Sequence, residues 1–129
     1  GEVRGRGSER PPIETEQMRM ETKSMPAETV EIYIAGDYDK ARDICRHWCV
    51  KVPRCVTVTR TSFIYTHGEE PGVVVALRSY PRFPQPPQLT PLAENLADEL
   101  MAGLCQRTAM ICNRTHHEWR YLDEDTNNS

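Results

Sequence analysis

The order in which hydrophobic periodicity changes along the chain is the strongest constraint on its fold. Residues 30–34 alternate between apolar and polar, as in a half-buried strand. Apolar residues then recur at helical spacing over residues 41–52, and a second helical stripe occupies residues 92–104. Two β-branched runs separate the helical stripes, and another strand-like run covers residues 108–119. The pattern predicts the order β-α-β-β-α-β.

This order predicts an α+β fold of the ferredoxin-like (split βαβ) type, a sandwich in which two helices cover one face of a four-stranded antiparallel sheet. Asp37 is suited to cap the first helix, and Thr90 offers a capping hydroxyl before Pro91 at the start of the second. Residues 67–72 are expected to form the turn of the central hairpin. The last strand is expected to place Trp119 on the same side as the apolar residues of its first half.

The chain of 129 residues is long enough for one domain, which we place at residues 29–121. Residues 1–28 mix glycine, proline and charged residues without periodicity, so we expect a disordered N-terminal segment. Residues 122–129 are polar and acidic, and we expect them to be disordered as well.

Composition limits the classes of partner and compartment. Sixteen lysines and arginines against 19 acidic residues give a net charge of −3, so nucleic-acid binding is possible but is not supported by charge. The longest apolar run, residues 72–77, is far shorter than the roughly 20 residues of a membrane span. Five cysteines, an odd number, indicate a reducing compartment rather than a disulfide framework. These features predict a cytoplasmic protein without membrane attachment.

A mixture of cationic and aromatic residues forms one candidate ligand site. If they converge at one end of the uncovered sheet face, they would suit a nucleotide, a phosphorylated ligand or single-stranded nucleic acid. The alternative interpretation is scattered surface arginines and half-buried tyrosines. The candidate residues are Tyr33, Arg60, Tyr65, Arg78, Tyr80, Arg82 and Phe83.

A second candidate site contains residues capable of acid-base chemistry or metal ligation. His67 and Glu69 lie in the hairpin turn, and His116 and Glu118 lie near the end of the last strand. Adjacent strand residues point to opposite faces, so a solvated sheet edge is the simpler interpretation. The cysteines of the first helix are interpreted as small buried hydrophobes, and neither a metal nor a cofactor is expected.

Two segments resemble parts of small uncharacterised accessory proteins encoded by tailed bacteriophages. They are residues 62–72, with the sequence SFIYTHGEEPG, and residues 80–84, with the sequence YPRFP. The resemblance implies a role in the cytoplasm of a bacterial host, where the protein would modulate a host or phage component by binding.

Because no catalytic constellation is evident, we expect a small non-enzymatic interaction module rather than an enzyme. It would bind a host or phage protein or a small anionic ligand, as a monomer or as a homodimer formed through sheet edges or the uncovered face. One alternative is a metal-dependent hydrolase or other small enzyme that uses the histidine and glutamate residues. Another is a single-stranded nucleic-acid binding protein.

Overall fold

The computed structural model describes residues 19–22, 24, 27–79, 88–113 and 117–123. We number its strands and helices in chain order. They are β1 (Thr29–Ala35), α1 (Tyr38–Lys51), β2 (Val56–Tyr65), β3 (Gly68–Arg78), α2 (Thr90–Leu104), β4 (Thr108–Cys112) and β5 (His117–Tyr121).

The strands form one sheet in the order β2-β3-β1-β4-β5, and every neighbouring pair is antiparallel. The prediction of an α+β fold with two helices is confirmed, and the first four strands have the ferredoxin-like order. The prediction of four strands is wrong, because the expected last strand is two strands that pair with each other. Cys112 pairs with His117, and Met110 pairs with Trp119. The reversal leaves Trp119 61% exposed instead of on the side of buried Ala109 and Ile111.

The core lies between the two helices and one face of the sheet. Alternate residues of β1 point into it, as the sequence predicted, together with the alternate residues of β3 that pair with them. Among the described residues no polar or charged residue is buried. The largest fully buried side chains are Trp48, Ile32, Ile34, Leu77, Leu89, Leu96, Leu100, Ile111, Val30, Val73 and Val75.

The two helices begin in different ways. Asp37 caps α1 as predicted, since its Oδ2 accepts a hydrogen bond from the Lys40 backbone N–H at 2.9 Å. The predicted cap of α2 is wrong by one residue. Leu89 occupies the cap position without a side-chain hydrogen bond, and Thr90 is already helical. Pro91 is tolerated in this first turn because the N–H it lacks would have no partner there.

The β2–β3 hairpin has a shorter turn than the sequence predicted. Only Thr66 and His67 connect the strands, with His67 at a φ of 68°, and pairing continues from Tyr65 with Gly68. The sequence predicted that Pro71 belongs to the turn, but this residue lies within β3. It is accommodated because β1 ends at Ala35, so at Pro71 only β2 pairs with the strand.

Glu28, the residue before β1, is hydrogen-bonded to later parts of the chain. The backbone N–H of Ser79 donates to the Glu28 carbonyl at 2.9 Å, and the Leu89 N–H donates to Glu28 Oε2 at 3.4 Å. Most of the residues expected to be disordered, 1–28 and 122–129, lie outside the described part of the chain. Within the described residues, no helix has the length and apolarity needed to cross a membrane.

Candidate active site beside the first helix

A tight turn between β1 and α1 forms one side of the candidate site. Gly36 has a φ of 139°, a conformation that residues with side chains rarely adopt, and its N–H donates to the Pro71 carbonyl at 3.0 Å. A Cβ atom at this position would lie 3.0 Å from Leu104 Cδ1. Both constraints call for glycine where the chain passes from β1 to α1.

A cavity of about 710 Å³ lies beside this turn, along the part of the β2–β3 hairpin that continues past the end of β1. This volume is in the range of small-molecule sites. The β1–α1 turn, both hairpin strands and the segment after α2 contribute to its walls. The polar lining residues are Asp37, Tyr38, Arg60, Thr61, Ser62, Glu70 and Gln106.

A cation and an aromatic ring are stacked at the cavity wall. The Arg60 guanidinium carbon lies 4.1 Å from the centroid of the Tyr38 ring, and the Arg42 guanidinium carbon lies 6.0 Å from the same ring. Arg60 is on β2 and Tyr38 is the first residue of α1, so this contact joins the sheet to the helix start. The stacked guanidinium offers a flat, cationic surface to a ligand.

The cavity presents both signs of charge. Asp37 and Glu70 contribute carboxylates, Arg60 contributes a guanidinium, and Thr61 and Ser62 contribute hydroxyls. Such a lining matches a ligand that combines a flat ring with separated positive and negative groups. The cavity lining can therefore bind and orient a charged ligand.

The structure does not gather the predicted cationic and aromatic residues on one face. Arg60 pairs with Val73, whose side chain is in the core, so Arg60 is on the helix-covered side of the sheet. Tyr33 and Arg78 are on the opposite, open side, where Arg78 Nη1 donates to Thr57 Oγ1 at 3.1 Å. Tyr65 is 55% exposed at the end of β2. Three further candidates lie outside the described residues, namely Tyr80, Arg82 and Phe83.

Tyr33 on the open face has a partner of its own. Its hydroxyl donates to Glu31 Oε1 at 3.1 Å. That hydrogen bond, followed by burial and the carboxylate charge, raises the pKa of the Tyr33 hydroxyl. The residue is therefore a neutral hydrogen-bond donor at neutral pH.

The predicted acid-base residues are divided between the two ends of the sheet. His67 and Glu69 are at the tip of the β2–β3 hairpin, whereas Glu118 is on β5 at the far edge. His116 lies outside the described residues. Within the described residues no group of three or more histidine, cysteine or acidic side chains is arranged to hold a metal ion. The hairpin and β5 residues therefore cannot share one site within a chain.

Charged residues of α2 that carry no motif in the sequence contact β5. Arg120 donates to both carboxylate oxygens of Asp98, at 2.5 and 2.9 Å, and thereby lowers the pKa of Asp98. The hydrogen bond between Glu94 and Glu118 raises the pKa of Glu94. Glu94 and Asp98 are four residues apart on one helix, which is the sequence signal for a shared face.

The cysteines have different environments. Cys45 is buried as predicted, and burial, followed by the influence of Cys49, raises the pKa of its thiol to about 12. A thiol with that pKa stays protonated and unreactive at neutral pH. Cys49 is half-buried, and Cys55, which follows α1, is exposed.

These features define a small α+β protein of ferredoxin-like topology with a charged cavity at the start of its first helix. No protein-family model matches the sequence, and a search of curated proteins finds no match. Two solved structures do match its fold. A phage SAM lyase in complex with S-methyl-5'-thioadenosine matches with a TM-score of 0.62 at 10% identity, over 81% of this chain and 96% of the lyase. A phage SAM lyase in the apo state matches with a TM-score of 0.60 at 12% identity, over 81% and 97%.

This likeness corrects the expectation about function. The sequence led us to expect a non-enzymatic interaction module, and that prediction is wrong, because the proteins whose fold matches are enzymes. The expectation rested on the absence of a catalytic motif, and such an absence does not exclude catalysis.

Proposed function

We propose that this chain is a small phage enzyme that cleaves S-adenosylmethionine (SAM), acting in the cytoplasm of the host cell, and that the Arg60–Tyr38 cavity is its active site. The observation that carries the proposal is the fold likeness to the SAM lyase, which extends over 96% of that protein's chain. The cavity supports it, since SAM has an adenine ring, a carboxylate and two cationic centres.

The product chemistry identifies the bond to be broken. Methylthioadenosine retains the methyl group and the adenosyl group of SAM, so it forms when sulfur separates from the amino-acid chain. The bonding electron pair moves to sulfur, and the sulfonium becomes a neutral thioether. The remaining four-carbon fragment can react in two ways. Attack of its own carboxylate on the γ-carbon gives homoserine lactone. Loss of a β-proton gives vinylglycine. Neither route consumes water.

The proposed roles of the cavity residues follow from their chemistry. Arg60, whose guanidinium carbon lies 4.1 Å from the centroid of the Tyr38 ring, provides a surface on which adenine can stack. The carboxylate of Glu70 pairs with the ammonium group of the substrate, which keeps its charge through the reaction. A carboxylate against the sulfonium would instead stabilise the ground state more than the transition state, because the sulfonium loses its charge there.

The full chain, incubated with SAM labelled in the methyl group, tests the proposal by chromatography of the products. We expect labelled methylthioadenosine together with either the lactone or vinylglycine. The lactone can itself open in water to homoserine, so hydrolysis is distinguished by running the reaction in water labelled with heavy oxygen. Attack of water on the γ-carbon would place the heavy oxygen in the hydroxyl group of homoserine, whereas opening of the lactone would place it in the carboxyl group. Failure of the wild-type protein to release methylthioadenosine would contradict the proposed activity.

The Arg60→Ala variant tests the location of the site. Loss of the stacked surface should lower kcat/KM by about 10- to 30-fold, the equivalent of about 1.4 to 2 kcal/mol. Arg46→Ala is the matched control, because Arg46 is an exposed arginine of α1 that does not line the cavity. If both variants are equally active, the proposed reaction is retained, but this cavity is excluded as its site.

A further inference from the structure

A second cavity, of about 750 Å³, lies where β5 runs beside the last turns of α2. Its volume is in the range of small-molecule sites. Gln106, in the turn after α2, lines both this cavity and the Arg60–Tyr38 cavity, so the two cavities adjoin. Apolar and charged side chains from α2, β5 and the residue after β5 share the lining, among them Met101, Trp119, Tyr121, Leu122, Asp98 and Arg120.

Trp119 and Tyr121 expose large aromatic side chains at this cavity. Trp119 is 61% exposed and Tyr121 is 60% exposed. Both are on the open face of the sheet, since Trp119 pairs with Met110 and Met110 pairs with Tyr33. Residues two apart on a strand lie about 6.6 Å apart on one face. A planar ring in van der Waals contact with another ring on each side requires about 7 Å, so the two side chains can hold one planar ring between them.

The polar groups of the cavity indicate a ring that carries hydrogen-bonding atoms. The backbone N–H of Gln106 donates to the Met101 carbonyl at 2.9 Å, and this bond holds the residue at the cavity wall. Within the described part of the chain, the side-chain amide of Gln106 has no hydrogen-bond partner. An amide presents a donor and an acceptor on one planar group, which matches the adjacent acceptor and donor atoms on the edge of a nucleobase. Asp98 and Arg120 bind each other, so neither offers an unpaired charge to a ligand.

We propose that this cavity binds the base of a nucleoside, stacked between Trp119 and Tyr121 with its polar edge on Gln106. The ligand is a free nucleoside rather than a strand of nucleic acid, because the chain has a net charge of −3 and would repel a polyphosphate. The bound ring would lie outside the Arg60–Tyr38 cavity. The proposal is therefore independent of the proposed reaction and holds whether or not the chain cleaves SAM.

Fluorescence of the full-length chain tests the proposal with adenosine as the probe. The chain has two tryptophans, and Trp48 is fully buried, so Trp119 reports on the cavity. Adenosine at millimolar concentration should quench the fluorescence of Trp119 and protect it from quenching by acrylamide. Tyr121→Leu should weaken adenosine binding at least about fivefold, because one of the two stacking surfaces is lost. Gln106→Met should reduce the preference for adenosine over purine riboside, which lacks the amino group of adenine.

Two control variants locate the bound ring. Tyr65→Leu removes an exposed aromatic residue that does not line this cavity and should bind adenosine as the wild type does. Arg60→Ala removes a residue that lines only the Arg60–Tyr38 cavity, and adenosine should still quench Trp119 in this variant. Loss of quenching in Arg60→Ala would place the ring in the other cavity and overturn the proposal.

Three further outcomes would overturn the proposal. They are no quenching of the wild-type protein by adenosine, unchanged affinity in Tyr121→Leu, and tighter binding of a single-stranded oligonucleotide than of adenosine. Circular dichroism of each variant monitors folding, which we expect to be unaffected because the Tyr121 side chain is exposed. If Tyr121→Leu fails to fold, Gln106→Met decides, and an unchanged preference for adenosine over purine riboside would contradict the proposed site.

Discussion

The two helices cover the same face of the sheet but contribute differently to the molecule. α2 buries five residues in an apolar stripe, and it begins without a side-chain cap. α1 buries three residues and begins with the Asp37 cap beside the cavity. The buried residues are Ala93, Leu96, Ala97, Leu100 and Leu104 in α2, and Ala41, Cys45 and Trp48 in α1.

This difference indicates that α2 contributes mainly to stability, whereas the start of α1 contributes mainly to the cavity. Apolar contacts hold α2 on the sheet, and Asn95 adds a hydrogen bond to Trp48 of α1. The first turn of α1 is capped by the Asp37 side chain, and Asp37 and Tyr38 both line the cavity. We therefore expect substitutions in the α2 stripe to change stability, and substitutions at the start of α1 to change activity more than stability.

The largest expected effect is that of Leu100→Ala in the α2 stripe. Leu100 is fully buried, and its truncation should lower the free energy of unfolding by about 2 to 5 kcal/mol through lost apolar contact and a residual cavity. Urea denaturation measures this change. Val50→Ala in α1 is the control, because Val50 is 84% exposed and should change stability by less than about 0.5 kcal/mol. If the two variants have equal urea midpoints, the buried stripe of α2 contributes no more to stability than an exposed residue of α1 does, which would contradict the comparison of the two helices.

Much of this arrangement was predictable because α2 and β1 have strong, regular patterns. The alternation in β1 and the leucine spacing in α2 indicated the core residues that the structure buries. The division of the last run into β4 and β5 was not predictable in this way. The strand-like alternation persists across the reversal, so periodicity alone does not distinguish one strand from two.

A second prediction concerns the contact between the helices. Trp48 is fully buried in α1, and its indole N–H donates to Oδ1 of Asn95 on α2 at 2.8 Å. Asn95→Ala would leave this buried donor without its acceptor, which should cost about 1 to 3 kcal/mol. Asn95→Asp retains an acceptor and should lose much less in thermal or urea denaturation. If both variants unfold alike, the hydrogen bond does not stabilise the contact between the helices.

The site was less predictable than the core. Arg60 was selected, but it was grouped with residues of the open face, although Val56, Val58 and Arg60 have the same parity on β2 and so share a side. Asp37 was recognised only as a cap, and Tyr38 and Glu70 were not selected. Their proximity depends on the hairpin continuing past the end of β1, and this follows from strand register, which the local sequence does not specify.

The smallest stability effect, and the sharpest test of the division between the helices, is expected for Asp37. Asp37→Ala removes the acceptor of the Lys40 N–H and should destabilise the protein by about 0.5 to 2 kcal/mol, whereas Asp37→Asn keeps a capping oxygen and should cost less. Asp37 also lines the cavity, so both variants remove a negative charge from it. If that charge helps to bind the cationic substrate, both should raise the KM for SAM, although only Asp37→Ala loses appreciable stability. A KM that changes only in Asp37→Ala would assign Asp37 to the helix cap alone and would leave the ammonium group of the substrate to Glu70.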